Sequence, residues 1–94
     1  MMVTRVVITK KALKDIQKVP HYIADKLDEW IEAVETDGIQ EVRKILGYHD
    51  EPLRGQRQGQ RSIRLSRAYR AIYEINTSQE IECVSIEEVN KHEY

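Results

Sequence analysis

Arg64 stands in a short segment of alternating polarity, Arg61–Ser66, and Arg70 in the next strand-like segment, Tyr69–Ile75, so that, folded as neighbouring strands, they could present two guanidinium groups on one face. A pair of this kind suits a phosphodiester. The planar guanidinium fork matches phosphate oxygens, and a well-placed donor is worth ~3–4 kcal/mol toward the charge of a pentavalent transition state. The plainer reading pairs each arginine with an acid of the last strand, Glu82 or Glu88, as a cross-strand ion pair. Glu51, in the stretch Asp50-Glu51-Pro52-Leu53, is either a base for a ribose 2′-hydroxyl or an ordinary surface carboxylate. The end of the chain, Asn90-Lys91-His92-Glu93-Tyr94, supplies an imidazole and a phenol. The first titrates near ~6.5 and suits proton transfer at neutral pH, while the second, at ~10, needs an arginine-rich setting to lower it. A solvated tail is the alternative for both.

The other polar residues exclude several chemistries. His21 and His49 show no metal-ligand spacing with His92 or Cys83, and no HExxH, phosphate-loop or GxGxxG pattern occurs. Neither a metal nor another cofactor is expected. Cys83 is the only cysteine, which excludes an internal disulfide, fits a reducing compartment and reads as core filler. Trp30 and most of the tyrosines read as core packing. The longest apolar run, Val6-Val7-Ile8, is far too short to span a membrane, and the start of the chain lacks a signal-peptide pattern, so the expected location is cytoplasmic.

The formal net charge of -1 hides a strong segregation. Residues 1–42 carry 6 Lys/Arg against 8 Asp/Glu, residues 43–70 carry 8 against 2, and residues 71–94 carry 1 against 6. All but one of the central cations are arginines, the residue that suits phosphate better than the point charge of lysine. They either gather a positive field on one surface or form a solvated charged face.

These residues must be positioned by a small α+β domain. A chain of 94 residues, 40% hydrophobic and 33% charged, with no repeat or linker, makes one domain (1–94) around a single core. Val3–Thr9 is β-branched and reads as a buried strand, after which Thr9 caps a helix over Lys10–Val19. Pro20 stops that helix and suits the first turn of the next, over His21–Thr36, where Ile23, Leu27, Trp30, Ile31 and Val34 line one face. Gly38 ends it. A short third helix follows to Leu46, closed by Gly47 in the left-handed position, and 48–60 is an exposed loop. Arg61–Ser66, Tyr69–Ile75 and Glu80–Val89 are strands, with a turn at Asn76–Gln79. Successive hairpins imply an antiparallel C-terminal sheet, helices on one face and the other face free for a ligand.

The run Tyr48-His49-Asp50-Glu51-Pro52-Leu53-Arg54-Gly55, followed by Gln60-Arg61-Ser62-Ile63-Arg64-Leu65-Ser66-Arg67-Ala68-Tyr69-Arg70-Ala71-Ile72-Tyr73, resembles the RelE/ParE superfamily of toxin–antitoxin toxins over nearly the whole chain. The resemblance implies a β-α-α-β-β-β fold, a cognate antitoxin as partner, and, by similarity to YoeB-like members, metal-independent cleavage of mRNA on the ribosome. By that similarity Glu51 is the general base, Arg70 the phosphate clamp, Arg64 a second basic residue on the preceding strand, and His92 and Tyr94 the groups that protonate the leaving 5′-oxygen and orient the base. YoeB-like chains end in His-Tyr directly, whereas Glu93 intervenes here, which leaves the relative orientation of His92 and Tyr94 open. HigB-like relatives use an acid, Tyr and His near the end in another order. Arg54, Arg57, Arg61 and Arg67, with Lys10, Lys11 and Lys14 on the first helix, are the expected contacts to ribosomal RNA phosphates. Two alternatives stand beside this reading, a ParE-like toxin that inhibits DNA gyrase and a non-catalytic RNA-binding module.

Overall fold

A computed structural model describes residues 3–91. The chain runs β1 (Val3–Ile8), α1 (Lys10–Ile16), α2 (His21–Asp37), α3 (Ile39–Val42), a 3₁₀ turn at Leu46–Tyr48, β2 (Glu51–Pro52), a second 3₁₀ turn at Gly55–Arg57, β3 (Gln60–Arg64), β4 (Tyr69–Ser78) and β5 (Ile81–Lys91). It is the expected α+β domain. The five strands lie in the order β1-β5-β4-β3-β2. β1 joins β5 in parallel, while the C-terminal strands form the expected antiparallel meander, so the complete sheet is mixed. No helix of the described residues is long and apolar enough to cross a membrane.

Local sequence explains most of the boundaries. The Thr9 hydroxyl accepts from the Ala12 N–H at 3.1 Å and starts α1 as an N-cap. Pro20 falls one residue before α2, at its N-cap, rather than inside its first turn. Gly38 closes α2 with φ of 86°, which a Cβ would strain. Elsewhere the boundaries move. The residue in the left-handed region after the third helical piece is His49, at φ 47°, and not Gly47. β3 stops at Arg64 because 65–68 bend, and β4 runs on through Ser78, which moves the turn to Gln79 and Glu80. The loop over 48–60 holds a two-residue strand, Glu51–Pro52, paired with Ser62 and Arg61 of β3.

One face of the sheet carries the core. Ile63, Ala71, Tyr73, Val84, Ile86 and Val89 meet Ile23, Leu27, Trp30 and Val34 of α2, all buried. Trp30 and Tyr73 rings pack 5.1 Å apart at 52°, a favourable tilted aromatic arrangement. The alternate residues of the strands point to the opposite face, where Arg64, Arg70 and Ser62 lie. That face is polar. Arg57 donates to Gln60 at 2.9 Å and pairs with Glu88 at 2.8 Å, so it bridges β3 to β5 above Ile72, which the register places between Ser62 and Glu88.

β1 ends opposite Ile86, which leaves the far edge of β5 unpaired from Glu87 onward. α1 covers this edge, and Asp15 accepts the Val89 N–H at 3.1 Å while holding Lys11 at 3.0 Å. Burial alone would raise the Asp15 pKa, but the hydrogen bonds from Lys11 and Val89, with the charges of Lys11 and Lys18, hold its carboxyl below the usual range. A carboxylate favoured in the folded state stabilises at pH above its unfolded value of ~3.9, and that stability fades as pH falls through the lower folded value. Asp15→Ala is expected to cost about 1–3 kcal/mol at pH 7, because the Val89 N–H loses its acceptor. In thermal melts the deficit relative to wild type should shrink as pH drops below ~3.9; a deficit independent of pH between 7 and 2.5 would contradict the assignment.

Candidate active site

The site forms where the end of β3, the start of β4 and the end of β5 meet. Arg64 and Arg70 are direct partners across the β3/β4 hairpin, and Asn90 of β5 is the next partner of Arg70. The hairpin is held tight by Ser66, whose hydroxyl accepts from the Ala68 and Tyr69 N–H groups at 3.1 and 3.2 Å. Glu51, paired with Ser62, brings its carboxylate from β2 to the same side. His49, Glu51, Ser62, Arg64, Ser66 and Arg70 line a cleft of about 70 Å³, which Arg67 and Tyr69 also border. The small volume has room for a phosphate group rather than a whole nucleotide.

Two like charges directly opposite each other on a sheet are unfavourable, and the acids expected to compensate them are engaged elsewhere. Glu82 accepts from Thr4 at 3.2 Å, and Glu88 holds Arg57 and Asn90. Arg70 Nε is buried and, among the described residues, has no hydrogen-bond partner. A desolvated, unsatisfied donor beside a second guanidinium is an arrangement that an anion completes.

Asp50 fixes one wall of the cleft. Its side chain is 1% exposed and takes Arg61 Nε at 2.6 Å on one oxygen and the Tyr73 hydroxyl on the other. Burial alone would lower the pKa of Arg61, but the bond to Asp50 and its charge outweigh this and push it up. Burial, then the hydrogen bond to Asp50 and its negative charge, hold the Tyr73 phenol well above its ordinary value. Asp50 thus ties the segment that carries His49 and Glu51 to Arg61 of β3 and Tyr73 of β4.

The expected site residues separate accordingly. Arg64, Arg70 and Glu51 come together in one cleft, and Arg67 borders it. Arg61 and Arg57 are engaged within the protein, by Asp50 and Glu88 respectively. Arg54 is exposed at the start of the second 3₁₀ turn. Lys10 and Lys14 are exposed on α1, Lys11 pairs with Asp15, and none of the three lines the cleft. His92 and Tyr94 lie outside the described residues; the last one described, Lys91, pairs with Tyr69 beside Arg70. His49 was absent from the expected site. The signal for it was its residue type, since histidine is enriched among the few non-glycine residues that accept positive φ.

The fold is thus a small α+β domain, a mixed five-stranded sheet with helices on one face and an arginine-lined cleft on the other. The model of the ParE toxin of type II toxin–antitoxin systems (parDE) matches residues 6–90, and the chain belongs to this family. It is similar to the YoeB/ParE toxin from Agrobacterium tumefaciens, with 21% identity, TM-score 0.73, and 95% of this chain and 99% of that chain covered. It is also similar to a chain of the RelBE2 toxin–antitoxin complex from Mycobacterium tuberculosis (24%, TM-score 0.68, 94% and 96% covered). A third likeness is to the archaeal RelE–RelB complex from Pyrococcus horikoshii (24%, TM-score 0.70, 96% of each chain). No curated protein matches the chain.

Proposed function

We propose that this toxin cleaves mRNA on the ribosome without a metal. The observation that carries the proposal is the Arg64–Arg70 pair, with the Arg70 Nε desolvated and without a partner among the described residues, facing the same cleft as Glu51. In this reading a bridging phosphate sits between the guanidinium groups. Glu51 takes the proton of the neighbouring ribose 2′-hydroxyl as that oxygen bonds to phosphorus. The bond to the 5′-oxygen breaks, His92 protonates the departing oxygen, and Tyr94 orients the base. The products carry 2′,3′-cyclic phosphate and 5′-hydroxyl ends. The support for His92 and Tyr94 is the resemblance and the pairing of Lys91 with Tyr69, which brings the strand that precedes them to the edge of the cleft. Arg54 and Arg67 are the proposed contacts to ribosomal RNA, and a cognate antitoxin is the proposed inhibitor, as the relatives crystallised with theirs suggest.

Primer extension on a translated message tests the reading. Wild type is expected to give discrete cuts, and Glu51→Gln to slow them about 100-fold or more, the usual worth of a general base. Translation arrest with intact message would sink it. A second reading is favoured by the family match itself: a ParE-type toxin acting on DNA gyrase. Inhibition of supercoiling at toxin levels that leave message uncut would select it.

A further inference from the structure

A second cavity opens beside the arginine cleft, lined by Arg43, Ile45, Leu46, His49, Asp50 and Glu51 and holding about 420 Å³. That lies within the ~300–1,000 Å³ range of sites that take small organic groups, whereas the arginine cleft, at about 70 Å³, does not. His49 and Glu51 line both, so they form the wall between the two. The second cavity has an apolar side, Ile45 and Leu46, the latter 90% exposed. Its polar side differs. Asp50 is occupied by Arg61 and Tyr73, while Arg43, bound to Gln40 through Nη1 at 3.1 Å, keeps its other N–H groups.

We propose that this second cavity is a nucleobase subsite, taking the base of the nucleotide whose phosphate the Arg64–Arg70 pair holds; it rests on the RNA reading above. A base is flat and apolar on its faces and carries acceptors on its edge. Ile45 and Leu46 meet the face, and Arg43 donates to the edge. The two cavities share a wall, so one nucleotide fills both, and its ribose lies against His49 and Glu51. An apolar side chain of a protein partner would also fit Ile45 and Leu46, but it gives no reason for the cavity to share His49 and Glu51 with the phosphate cleft.

The test uses the purified full chain and short fluorescent RNAs made uncleavable by 2′-O-methyl groups, each with an abasic residue at one position in turn. Affinity is read by anisotropy. Wild type is expected to bind the intact RNA about tenfold more tightly than the RNA abasic at one particular position, a factor appropriate to one partly buried base. Leu46→Ala, at an exposed side chain, and Arg43→Gln, at a half-buried one, should each reduce that factor to about threefold or less. Arg64→Ala should weaken intact and abasic RNA alike. Equal affinity of wild type for intact and all abasic RNAs, or an unchanged factor in both variants, overturns the subsite. So does Leu46→Ala weakening antitoxin binding with RNA discrimination intact, which would make the cavity a protein interface. A protein that discriminates but never cuts leaves the subsite standing and sinks the nuclease reading; one that cuts without discriminating does the reverse.

Discussion

Arg70→Ala is expected to lose cleavage by about 100-fold to 1,000-fold, the range seen when one preorganised donor to transition-state charge is removed, while the folded protein becomes more stable. The two effects share a cause. Arg70 is opposed across the hairpin by Arg64, and its Nε is buried with no acceptor among the described residues. An unsatisfied buried donor costs about 1–3 kcal/mol, and a like charge directly opposite adds to the cost. Truncation removes both, at the expense of some packing by the aliphatic stem. A net gain of about 1 kcal/mol should raise the melting temperature by roughly 4–8 °C in a domain of this size. Melting of Arg70→Ala and Arg64→Ala, each with and without inorganic phosphate, reads the balance. Phosphate should stabilise wild type by mass action and leave both variants where they are. A fall in melting temperature of several degrees on Arg70→Ala would show that the guanidinium is structural. Equal cleavage by the variant would remove it from the site.

The arginine pair was legible in the sequence because a hairpin is a local structure. Once Arg61–Ser66 and Tyr69–Ile75 read as neighbouring strands, the short connection puts Arg64 and Arg70 on one face, and the observed register makes them partners. The long helix was equally plain, since Ile23, Leu27, Trp30 and Val34 repeat at helical spacing and all four are buried. What escaped depends on residues distant along the chain. The parallel pairing of β1 with β5 joins Val3 to Ile81 and leaves no mark on either segment. Arg57 and Arg61 look like the neighbouring arginines until folding brings Glu88 and Asp50 to them. The backbone conformation of His49 follows from where the segment before β2 must turn, although by residue type the nearby Gly47 is better suited to a positive φ.

Asp50 is where stability and the site are most tightly joined, and Asp50→Ala is expected to cost about 3–5 kcal/mol, the usual loss when one member of a buried ion pair is removed. Its carboxylate is 1% exposed and holds both Arg61 and Tyr73, so truncation strands a cation and a phenol together. Out of the ~5–15 kcal/mol that holds a typical domain together, the loss is large. Replacing both partners differs from replacing one. Asp50→Ala combined with Arg61→Leu should recover part of the deficit, because no uncompensated charge remains. Additive losses in the double variant would show that the two side chains do not act together. Tyr73 supplies an independent signature. Its phenol stays protonated in the fold above the ordinary value, so the unfolded chain ionises first, and the stabilisation present below ~10 is lost as pH rises past it. Tyr73→Phe should flatten that alkaline decline in melting temperature. Because Asp50 lies between His49 and Glu51, the double variant, even if refolded to near wild-type stability, should still cut RNA poorly: the wall of the cleft would keep its residues and lose its anchor.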